Sequence, residues 1–361
     1  MIPNVMLCFD DEAMARMRGT PEYVVSKIFQ KAKNDILDYL FRNNTSVFVL
    51  FDSMEKYPIS NPTFGASMSG FLRAINRIDR SHNSIRIVFA LPEELLPFFH
   101  GSSENLLKDF EKAFVLRWKP RDLLRIIAHR YRLFLSIHER SFYEELKLNE
   151  VNFHEGKGLS NFYRQFFSSN ITNNLGIEES SIAYLIRHTQ LLPRHFIMAF
   201  NHIARSSYKE LQNWRKFSPN AIVDGVRSAE ELIAEEILKP YNAIYNNITK
   251  NLNSVMGDLP PIFSYGDLHR RINRIKSNYQ MTYNEMVEIL FRMGVIGRIC
   301  NDQKGGKYTN AEFFYNFSGN ISFSGDDILC FHPIFSQYFK SNRKRNGDNR
   351  IIYPHGVSSE L

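Results

Sequence analysis

The run Val47-Phe48-Val49-Leu50-Phe51 ends in Asp52 and continues Ser53-Met54-Glu55, which sets a second carboxylate three residues beyond the first. An unbroken Val/Phe/Leu run reads as a strand buried on both faces of a parallel α/β sheet. An acid at the carboxyl end of such a strand stands in the crevice where these sheets take ligands. Beside a phosphate loop of the form G-x-x-x-x-G-K-[ST], it would hold Mg²⁺ against nucleotide phosphates. The same residue type caps loops and helices past core strands, and Asp52 alone leaves both roles open.

No phosphate loop accompanies it. Gly156-Lys157 is followed by Gly158 and has Val151 where the first glycine belongs. Gly306-Lys307 is followed by Tyr308 and has Asn301 in that place. Neither follows a buried strand into a helix, the context that gives the motif its meaning. His-Glu-x-x-His, Gly-x-Ser-x-Gly and metal-spaced Cys/His sets are also missing from the sequence. His129, His195 and His332 sit beside Arg or Pro and read as helix-surface residues. Cys8, Cys300 and Cys330 are too dispersed for a disulfide framework or a metal cluster, a usage that fits a reducing cytoplasm.

The elements that must position Asp52 follow a helix–strand rhythm. Thr20-Pro21 opens a helix whose apolar positions run from Val24 to Leu40 and which Asn43-Asn44 ends. A helix is expected near Ser67–Arg80, with a second strand over Ile85–Ala90 and a candidate third over Phe114–Leu116. From Pro120 to about Ser207 the pattern is helical, with the arginines of Arg121–Arg130 on the outer side and Pro193 opening a new helix. From Pro240 to Phe339, Ser264-x-x-Asp267 and Thr282-x-x-Glu285 mark two helix starts. The second helix runs from Tyr283 to Met293 and closes at Gly294. A Lys304-Gly305-Gly306-Lys307 turn then leads into a strand from Tyr308 to Phe317. Helices followed by a hairpin describe a winged helix-turn-helix.

The 361 residues suffice for two or three domains, and 43% hydrophobic with 14% aromatic residues can bury a substantial core. No run approaches the roughly 18–20 apolar residues of a membrane span, and residues 1–10 lack a signal peptide's basic start. The net charge of +7 suits a polyanion partner, but it is spread along the chain apart from Lys340, Arg343, Lys344 and Arg345.

The order of these pieces resembles bacterial P-loop ATPases of the AAA+-related STAND type with C-terminal winged helices. The pieces are a strand ending in Asp52, a second strand ending in Leu91-Pro92-Glu93-Glu94, a Trp118-x-x-x-Asp122-Leu123-Leu124 helix, a helical lid with Pro193-Arg194, and a terminal winged helix. The resemblance implies an α/β core over residues 1–119 with a partial parallel P-loop NTPase-like sheet, and an all-helical lid over 120–235. It further implies a winged-helix domain over 236–340 and a basic flexible tail over 341–361. Asp52 would be the Walker B Mg²⁺ ligand, Glu55 the water-polarising base, and Arg194 a contact to the terminal phosphate of ATP. Family members place the second acid directly after the first, where this chain has Ser53. Residues 1–46 spell a helix where the family carries its phosphate loop, so the core reads as truncated or degenerate.

Three functions follow as expectations. The first is a regulatory or signalling ATPase-family protein unable to hydrolyse ATP by itself. The second is a winged-helix protein that contacts nucleic acid through Arg270, Arg271, Arg274, Lys276, Lys304 and Lys307. The third is a subunit that completes a partner's nucleotide site through Arg194 or a basic helix. The helix Tyr283–Met293 carries Glu285 and Glu288 against the single cation Arg292, which favours docking to a protein partner or a second copy over DNA. A cytoplasmic protein with no membrane association is expected.

Overall fold

The computed structural model describes residues 27–52, 64–81, 84–92, 95, 114–300, 306–316, 322–340 and 350–357. Glu55, Lys304, the Thr20-Pro21 helix start and the Glu93-Glu94 pair lie outside them. The chain is mixed α/β and divides into two compact units, residues 1–113 and 114–361.

In the first unit, α1 (Lys27–Arg42) leads to β1 (Val47–Phe51), α2 (Phe64–Ser81) and β2 (Ile85–Phe89). Asn44 ends α1 in a left-handed conformation, which Asn tolerates better than most residues. The two strands pair in parallel, Val47 opposite Ile85 and Phe51 opposite Phe89. Phe64, Met68 and Leu72 recur at helical spacing, so α2 buries one stripe. Phe71 caps that core edge-on to Phe51, with ring centroids 5.0 Å apart.

Two expectations fail here. β1 is not buried on both faces: Phe48 is 67% and Leu50 73% exposed, because among the described residues α2 packs on one face only. Phe114–Leu116 forms no strand either; the segment is exposed and pairs with no described neighbour.

The second unit begins with α3 (Pro120–His138), α4 (Arg140–Glu145) and α5 (Gly156–Phe166). Pro120 takes the first helical position of α3, where its missing N–H costs nothing. The α3 arginines are not simply solvent-facing. Arg121 and Arg125 donate to the His154 carbonyl, and Arg132 donates to the Val151 carbonyl, so together they hold the 151–154 loop against the helix.

A hairpin follows, β3 (Asn170–Thr172) and β4 (Glu178–Ser180), which the all-helical expectation missed. Each strand is three residues long and largely polar, too short for an alternation signal. Its turn is built on Asn173, whose Oδ1 accepts from the Leu175 and Ile177 amides, and on Gly176 at φ +72°.

Next come α6 (Ser181–Arg187), α7 (Pro193–Leu211) and α8 (Pro219–Ile244). α7 and α8 are in close contact at Gly225, where a Cβ would lie 2.4 Å from Ile203 Cα. α8 runs through the expected boundary at 235/236, and one continuous core joins Leu123 in α3 to Val357.

The remainder comprises α9 (Ile248–Met256), β5 (Ile262–Ser264), α10 (Tyr265–Ile272), α11 (Tyr283–Arg292), β6 (Ile296–Ile299), β7 (Tyr308–Glu312), β8 (Ile328–Phe331), α12 (Pro333–Tyr338) and β9 (Ile351–Pro354). The strands form one mixed sheet in the order β5-β8-β6-β7-β9. Both expected helix starts are present: Ser264 accepts from the Asp267 amide, and Thr282 with Glu285 forms a complete capping box. The expected flexible tail is corrected over 351–357. Ile351-Ile352-Tyr353 is a short β-branched and aromatic run that pairs in parallel with β7 and is buried along its length.

Candidate functional site

Asp52 directly follows β1 at its carboxyl end and is exposed. Among the described residues no three His, Cys, Asp or Glu side chains gather into a metal site.

Arg194 belongs to the second unit. It occupies the first turn of α7, is 77% exposed, and pairs with Glu236 of α8 at 2.7 Å. On α10 and the turn after it, Arg270 pairs with Asp267 at 2.5 Å, and Arg271, only 12% exposed, pairs with Asp258 at 2.8 Å. Arg274 and Lys307 are exposed and Lys276 is half-buried. On α11, Arg292 is taken by Glu288 at 2.8 Å, while Glu285 closes the capping box.

The most concentrated chemistry in the second unit was not singled out by any sequence motif. Between α6 and α7, Arg187-His188-Thr189-Gln190 are consecutive, polar and all buried. Such a run is costly unless every group finds a partner. Arg187 donates through Nε and Nη2 to the two oxygens of Glu179 on β4, at 2.9 and 2.8 Å. Glu179 also accepts from Asn173 at 2.8 Å and from the Tyr353 hydroxyl on β9 at 2.6 Å. Burial pushes the Glu179 carboxyl up, but Arg187, Tyr353 and Asn173 outweigh it and hold it below the ordinary carboxylate value. One ionised carboxylate thus ties the hairpin, α6 and the last strand together.

The next three residues reach other elements. His188 donates through Nδ1 to the Tyr184 carbonyl at 2.7 Å, and its Nε2 lies 3.2 Å from Glu230 of α8. Both ring nitrogens face oxygens, one on its own helix and one on α8. Thr189 donates to the Ile186 carbonyl at 2.9 Å. Gln190 donates to the Met293 carbonyl at 2.8 Å, and Gly294, at φ +65°, leaves room for its amide.

Two of the three histidines expected on helix surfaces are core residues. His195 is 2% exposed, its Nδ1 has no hydrogen-bond partner, and burial with the Arg194 charge lowers its pKa to about 4. His332 is fully buried and accepts through Nδ1 from the Ile334 amide, capping α12, and burial lowers its pKa to about 3.

A cleft of about 90 Å³ opens above this network, where α6, α8, α12 and the start of β9 meet. Arg187, His188, Glu230 and Arg350 supply its charged lining. The signal that could have found it is the polar run itself: Arg-His-Thr-Gln between two apolar helix stretches. No family model, curated protein or solved structure matches the chain. No described helix is long and apolar enough to cross a membrane.

Proposed function

We propose that the chain is a regulatory or signalling protein of the P-loop ATPase type that does not hydrolyse ATP by itself. Residues 236–340 act in this reading as a winged-helix module that docks a protein partner or a second copy. The charge layout of α10 and α11 carries it. Arg270, Arg271 and Arg292 are each matched by a nearby carboxylate, and Glu285 and Glu288 are exposed on α11. A helix that enters the major groove meets phosphates, and carboxylates there repel them. That the given sequence carries no G-x-x-x-x-G-K-[ST] run supports the non-catalytic half of the reading. The buried Glu179 tie supports coupling, because it joins the helical part to the last strand of the sheet.

Arg274 and Lys307 are exposed and favour the nucleic-acid reading as a second one. A salt titration of duplex DNA binding by fluorescence anisotropy separates them. The docking reading predicts a slope of log Kd against log salt equivalent to about one or two phosphate contacts. A slope of about six or more, weakened by Arg274→Ala and Lys307→Ala, would overturn it in favour of groove binding.

A further inference from the structure

We propose that the first unit pairs with a second copy of this chain, α1 of each copy lying across the open face of the β1–β2 sheet of the other. Parallel sheets are almost always covered on both faces. The β1–β2 sheet is parallel, and α2 covers one face through Phe64, Met68 and Leu72. On the other face the register sets Leu50 opposite Val88, with Phe48 two residues back on the same side. All three are exposed. Contiguous apolar surface of this kind marks an interaction site.

The helix before β1 carries the matching defect. Ala32, Ile36 and Tyr39 recur at i, i+4 and i+7, so they share one side of α1. A stripe of that spacing is built to be covered, yet Ile36 is 59% and Tyr39 64% exposed, and Ala32 is exposed too. The turn that follows is held by its own hydrogen bonds. The Asn43 side chain donates to the Tyr39 carbonyl at 2.8 Å and the Thr45 amide to the Leu40 carbonyl at 2.9 Å, around the left-handed Asn44. A connection so short and so bonded keeps α1 from swinging onto its own strands.

An open helix stripe and an open sheet face in one unit are complementary between two copies. About a two-fold axis each helix meets the other copy's sheet, and both contacts form together. The dimensions agree. At 1.5 Å per residue the stripe is about 10 Å long, against a sheet patch about 7 Å along the strands and two strands wide. At roughly 100 Å² of exposed surface per side chain, the six residues offer about 600 Å² per copy and about 1,200 Å² per dimer, the lower end of the range for specific association. The dimer therefore dissociates on dilution. The surface uses no residue of 236–340, so it stands or falls independently of the docking proposed above.

The test is sedimentation equilibrium of the full chain over a range of concentrations, with Ile36→Glu, Leu50→Lys and an equimolar mixture of the two variants. Both positions are exposed, and circular dichroism checks that each variant folds. A monomer–dimer equilibrium is expected, weakened at least tenfold by either change alone. The mixture is expected to regain dimer, because one of its two contacts is unaltered and the other pairs Glu with Lys. A chain that stays monomeric at its highest soluble concentration, a dimer unchanged in both variants, or a mixture no more dimeric than its components would overturn the inference.

Discussion

Replacing Tyr353 with Phe removes one hydroxyl and should loosen the attachment of β9 to the helical part of the second unit. The Tyr353 hydroxyl donates to Glu179 Oε2 at 2.6 Å across 174 residues of sequence. Glu179 is fully buried and ionised, and Arg187 retains only 10% exposure, so solvent screens this bond little. A hydrogen bond to a charged group contributes about 1.5–3 kcal/mol. Oε2 keeps its Arg187 Nε contact and the β7–β9 ladder is untouched, which places the expected loss near 2 kcal/mol. For a unit of this size that lowers Tm by roughly 4–8 °C. Glu179→Gln should cost more, about 3–5 kcal/mol, because Arg187 is left buried without its counter-charge. The two changes should be non-additive by about 1–2 kcal/mol, since each removes the same contact. Urea unfolding followed by the fluorescence of Trp214, in the second unit, reads all four corners of the cycle. A Tyr353→Phe loss below about 0.5 kcal/mol, or strict additivity, would refute the claim that Glu179 fastens β9.

Gly225→Ala places a methyl group 2.4 Å from the Ile203 Cα on α7, where only backbone can yield; it should lose about 1–3 kcal/mol, measured as a fall in the urea midpoint. Buried neutral histidines make the fold acid-sensitive. His195 and His332 have pKa values lowered to about 4 and about 3, so between these values and the ordinary 6.5 the unfolded chain binds more protons than the native one. Stability is therefore full above pH 6.5 and falls as pH drops, with the two histidines together removing about 4 kcal/mol between pH 7 and pH 5. Urea midpoints across that range should show this slope, and His195→Phe should halve it; an unchanged slope would contradict the assignment.

Local signals in the sequence predicted the elements well where they rest on capping and periodicity. Pro120, Pro193, the Ser264 cap and the Thr282–Glu285 box all open helices where their chemistry requires. Burial was harder to read. Val47–Phe51 has a strand's composition, but whether both faces are covered depends on neighbours that composition does not reveal. The short polar hairpin at 170–180 carries too few residues for a period, and its stability comes from Asn173 and Gly176 in the turn. Ile351–Tyr353 was masked by the basic run that precedes it, although its β-branched pair and tyrosine are strand chemistry. The buried network was the least legible. Arg187, His188 and Gln190 find partners on β4, α8 and the residues after α11, a convergence that only the tertiary fold creates.

Titration of the full chain with a fluorescent ATP analogue and Mg²⁺, beside Asp52→Ala, addresses most directly the claim that this is a non-hydrolysing member of the ATPase type. No saturable binding that depends on Asp52 is predicted. Micromolar binding abolished by Asp52→Ala would contradict it and make Asp52 the metal ligand of a working nucleotide site.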